Sequence, residues 1–64
     1  MEDAAVSEFH RAIITLAAEK LGRDLTDKES RFITSRGGYI VLEAIHDTVA
    51  TGSRENIERY LNSE

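Results

Sequence analysis

Ser35-Arg36-Gly37-Gly38-Tyr39-Ile40-Val41-Leu42 is the stretch on which the reading of this chain turns. Two consecutive glycines inside a helix cost ~2 kcal/mol relative to alanine, so the chain is expected to break there. The rival reading keeps Ile33, Gly37, Ile40, Val41, Ala44, Ile45 and Thr48 in helical phase through the glycines, as one long helix over 27–50 with a close-packing notch. Tyr39-Ile40-Val41-Leu42 is rich in β-branched side chains and could pass for a strand. A single strand without a second makes no sheet, so the segment 39–51 is expected to be helical.

Outward from that break the remaining elements follow. Toward the N-terminus, Val6, Phe9, Ile13, Leu16 and Ala17 recur at helical spacing over about 3–21. Gly22 then stands where a left-handed residue ends a helix, with Lys20 in the last turn. Thr26 followed by Glu29 is a capping-box pair opening a short, largely solvated helix over about 27–36, carrying chiefly Phe32 and Ile33. Toward the C-terminus, Gly52 closes the 39–51 helix, Ser53 caps the next, and Ile57, Tyr60 and Leu61 give a helix over about 54–62 one narrow stripe. The expected fold is therefore all-α, one domain over 1–64, a small bundle of three to four helices.

The whole chain has 64 residues, 41% hydrophobic, with no cysteine, proline or tryptophan. A chain of this size buries ~60% of its unfolded surface. Taking ~3,800 Å² of that as apolar, burial stabilises by ~95 kcal/mol, and ordering the chain at about 1.5 kcal/mol per residue costs ~96. Disulfides and thiolate zinc sites are excluded, which leaves a metal held by His and carboxylates, or a partner chain. On helical wheels the apolar arcs of 3–21 and 39–51 each span roughly 200°, about twice what an ordinary surface helix needs. Completion of the bundle by a homodimer or a protein partner is the expectation, with Val6, Phe9, Ile13, Leu16, Ile40, Val41, Ile45 and Val49 as the interface and Arg31, Arg36 and Glu43 as its polar rim. The alternative is that the two wide helices pack centrally and the short ones wrap them.

Glu43-x-x-His46 has the spacing of half a di-metal carboxylate site, but no second copy of the motif exists and its predicted face, shared with Tyr39 and Asp47, points to solvent. His10 lies inside the apolar arc of the first helix. It is expected to be partly buried and hydrogen-bonded to one backbone carbonyl, with a pH-sensitive interface group as the alternative. Ser7, Ser30, Ser35 and Ser53 fit caps or solvated faces, and Ser35-Arg36-Gly37-Gly38 lacks the lysine and preceding strand of a phosphate loop. No catalytic residues and no cofactor are assigned, and the chain is expected not to be an enzyme.

Net charge is −4, which disfavours nucleic acid and anionic lipid. The charge is unevenly spread: residues 20–36 carry five cations against three anions, and each flank is net −3. Lys28, Arg31 and Arg36 are the contacts that a nucleic-acid-binding regulator would have to use, although the polar face of 39–51 would repel phosphates. The N-terminal stretch has neither the basic start nor the apolar run of a secretory signal, and no membrane span is present, so a cytoplasmic location is expected. The function expected from the sequence is a small non-catalytic interaction or regulatory module acting through an apolar helix face.

Overall fold

The computed structural model describes residues 4–63 of the chain, so the helix start expected at residue 3 lies outside the described residues. Four helices follow in order: α1 (Ala4–Leu21), α2 (Asp27–Thr34), α3 (Tyr39–Thr51) and α4 (Arg54–Leu61), with no strand among the described residues. The break at Gly37-Gly38 is therefore real. Neither glycine has a positive φ, and a Cβ at either would meet nothing within 4 Å. What stops the helix there is the low helix propensity of two glycines, not a turn that only glycine can make.

The other boundaries have local causes. Gly22, at φ 73°, ends α1, and the Gly22 and Arg23 amides both donate to the Ala18 carbonyl, at 2.9 and 3.2 Å. Thr26 and Glu29 form the reciprocal capping box: the Glu29 amide donates to Thr26 Oγ1 at 3.2 Å and the Thr26 amide to Glu29 Oε1 at 2.9 Å. α3 ends at Gly52, whose amide reaches the Thr48 carbonyl at 2.9 Å, and Ser53 Oγ accepts the Asn56 amide to start α4.

α1 is the hub. It packs along α3 and also contacts α2 and α4, while α2 closes on α4. Ile13, Ala17 and Leu21 of α1 meet Ile33, Leu42, Ile45, Val49, Ile57 and Leu61 in one core, with Phe32 set edge-on to Tyr60 at 5.0 Å. This is the arrangement in which the two apolar-rich helices pair and the short ones wrap them. α2 is less solvated than its composition suggests, because Glu29, Phe32 and Ile33 are all buried.

A polar knot ties the α1–α2 corner to α4. Glu29, only 1% exposed, accepts both guanidinium nitrogens of Arg23 at 2.9 Å and the side-chain amide of Asn62 at 2.7 Å. Arg23 also reaches Glu58 at 3.0 Å. The Arg23 hydrogen bonds outweigh the desolvation of burial, and with the Thr26 amide and Asn62 they hold the Glu29 carboxyl down at about 2. The same pairing raises the Arg23 pKa.

The surface area of the chain is 4318 Å², against ~4,100 Å² expected for a folded monomer of this mass. The four helices thus already bury what a lone chain of 7.2 kDa buries. Apolar surface left uncovered is local, and it sits on α3.

Candidate functional site

α3 is apolar over so much of its circumference that its composition does not say which part is buried. Packing against α1 selects Leu42, Ile45 and Val49, at 0, 1 and 0% exposure. Side chains flanking that row turn toward α1: the Phe9 ring lies 6.0 Å from Tyr39 and 6.1 Å from His46. Lys20 donates to the Ala50 carbonyl at 2.8 Å. The opposite side of α3 faces solvent, with Ile40 82% and Val41 45% exposed and Ala44 exposed beside them.

These contacts correct the expected faces. Of the eight interface residues assigned from the sequence, Ile13, Ile45 and Val49 are spent inside the chain's own core, and Val6, Phe9 and Leu16 are half-buried against it. Ile40 and Val41 alone remain open. His46 does not point to solvent with Glu43 and Asp47, since it is half-buried with its ring edge-on to Phe9. A 200° apolar arc contains more than one possible burial face, and only the neighbour that packs on it chooses among them.

The α1–α3 pair runs parallel, as Phe9 lies level with Tyr39 and His46, and Lys20 level with Ala50. Helical phase then puts one set of residues on the side of this pair turned away from α2 and α4. From α1 these are Glu8, Ala12, Leu16 and Glu19, and from α3 Ile40, Glu43, Ala44 and Asp47. All are exposed except Leu16, which is half-buried. A shallow depression in α1 is lined by Glu8, Arg11, Ala12, Thr15, Leu16 and Glu19, with Ala12 and Leu16 as its apolar floor. The α1 contribution, Glu8, Ala12 and Glu19, was not legible in the sequence, although the i, i+4 pair Ala12 and Leu16 carries the phase signal for it.

The remaining candidates lie apart from this face. His10 Nε2 is hydrogen-bonded to the Arg36 carbonyl, the backbone partner expected of it. Arg36 folds back over its own helix, with Nη1 donating to the Phe32 carbonyl at 2.9 Å and to Ser35 Oγ at 2.8 Å, and the guanidinium 4.3 Å above the Phe32 ring. Lys28 and Arg31 extend into solvent on α2. Glu43 and His46 find no third acidic or imidazole group converging on them among the described residues. Hydroxyls of Ser35, Thr48, Thr51 and Ser63 donate to backbone carbonyls one turn back, and those of Thr26 and Ser53 cap helices. Among the described residues no helix is long and apolar enough to cross a membrane. No family model, curated protein or solved structure matches the chain.

Proposed function

We propose that this chain is a small non-catalytic helical interaction module that binds another protein through the outer face of the α1–α3 pair. The observation that carries the reading is Ile40, a large aliphatic residue 82% exposed, whereas the other large aliphatic side chains among the described residues, Val41 apart, are buried or half-buried. Covering one such side chain stabilises a complex by ~2 kcal/mol, the scale of an interface hot spot. The hydroxyls of Ser35, Thr48, Thr51 and Ser63, bonded to backbone carbonyls, are in keeping with a binding role.

A homodimer would fit the thin stability margin of a 64-residue chain. Through this face, however, a two-fold would set one surface edged by Glu8, Glu19, Glu43 and Asp47 against an identical acidic surface. A different partner therefore suits the face better than a second copy. The nucleic-acid alternative is the weaker reading for the same electrostatic reason, and because α3 packs along α1 instead of crossing α2 as a recognition helix would.

The test compares wild type with Ile40→Glu, a change at a site too exposed to unfold the monomer. Immobilised protein is used for capture from an extract of the cells that make it, and both variants are run in sedimentation equilibrium. An Ile40-dependent association of either kind is the expected result. Identical captures and monomers for both variants would remove the reading.

A further inference from the structure

We infer that the occupant of this face is a cationic amphipathic helix of a partner protein. The inference rests on the interaction-module reading and adds the chemistry of what binds. The apolar part of the face is Ala12 and Leu16, which line the α1 depression, with exposed Ile40 and Ala44 on the neighbouring α3, and the two alanines leave room for a third helix to come close. The carboxylates are Glu8 and Glu19 on the α1 side and Glu43 and Asp47 on the α3 side. None of the four is in an ion pair among the described residues.

Among the described residues two cations lie near. Lys20 is committed to the Ala50 carbonyl at the α1–α3 contact, and Arg11 sits at the outer margin of the α1 depression. Lys28, Arg31, Arg36 and Arg54 belong to α2, α4 or the loop between α2 and α3, away from the face. An apolar groove edged by four carboxylates matches a helix with one aliphatic stripe and Lys or Arg on both flanks of it. From Glu8 to Glu19 the face spans about 16 Å along α1, enough for three turns of such a helix. Nucleic acid and anionic membrane lack both the stripe and the sign of charge. A second copy of this chain presents the same carboxylates.

The probe is a 14-residue Leu/Lys peptide with leucine at helical spacing, set against an isomer of identical composition whose order gives no apolar face. Binding is followed by fluorescence anisotropy at low and at moderate salt, with the fold of each protein variant checked by circular dichroism. The amphipathic peptide binds and the isomer binds about tenfold more weakly or not at all. Glu43→Lys with Asp47→Lys weakens binding about tenfold, Ile40→Ser about thirtyfold, and Glu55→Lys on α4 leaves it within about twofold.

Equal binding of the two peptides overturns the inference, as does an effect of Glu55→Lys equal to that of the α3 pair, which would mean attraction to net charge alone. A peptide-free dimer that Ile40→Glu dissolves overturns it in favour of a second copy. Failure of the peptide to bind, with Ile40-dependent capture intact, removes the cationic partner and leaves the module reading standing.

Discussion

Replacing Glu29 by glutamine tests whether the polar knot at the α1–α2 corner carries much of the stability. The carboxylate is 1% exposed and accepts from Arg23 twice, from the Thr26 amide and from Asn62, all at 2.7–2.9 Å. Its folded pKa, about 2 against an ordinary 4.5, is depressed. At ~1.4 kcal/mol per pH unit the ionised form stabilises the fold by ~3 kcal/mol at neutral pH. Because the folded value lies below the unfolded one, this contribution is fully present above about pH 5 and is lost as pH falls through 4.5 toward 2. At pH 3 about 2 of those ~3 kcal/mol should be gone.

A chain of this length has roughly 3–10 kcal/mol of stability in total, so the effect is large enough to measure by urea unfolding. Glu29→Gln is expected to lower stability at pH 7 by ~2–3 kcal/mol and to flatten the decline between pH 7 and pH 3. Arg23 keeps Glu58 in the variant and remains partly solvated, so no buried charge is stranded. Parallel pH profiles for the two proteins, or a variant as stable as wild type, would refute the reasoning.

Core and stripe should respond oppositely. Leu42→Ala, at a fully buried site, should cost 2–5 kcal/mol, as for cavity-forming changes in general, whereas Ile40→Ala two residues away should move the unfolding midpoint of the monomer by less than ~0.5 kcal/mol. The glycines should divide as well. Gly52→Ala brings a Cβ to 2.8 Å from the Thr48 carbonyl, and Gly22→Ala forces alanine to φ 73°, so each should lower thermal stability, the latter by ~1 kcal/mol. Gly37→Ala meets no atom within 4 Å and should be neutral or slightly stabilising, and a large loss there would mean that the α2–α3 turn is held by something other than propensity.

What the sequence by itself determined was local. Helix ends at Gly22, Thr26, the Gly37-Gly38 pair, Gly52 and Ser53 follow from backbone freedom, capping and propensity, which act over a few residues and need no neighbour. The backbone partner of His10 was also foreseeable in kind, since an imidazole on an apolar arc must find an acceptor or a donor close by. Everything that depends on which helix lies beside which was decided by tertiary structure. Leu42, Ile45 and Val49 are core and Ile40 is not, although all four belong to one wide arc, because α1 lies against only part of α3. Glu29 looked like a capping residue and is also the buried centre of a network reaching Asn62, 33 positions away in the chain. The docking face is of the same kind: Ala12 and Leu16 mean little on α1 alone, and become one surface with Ile40 and Ala44 only when the two helices run parallel in contact.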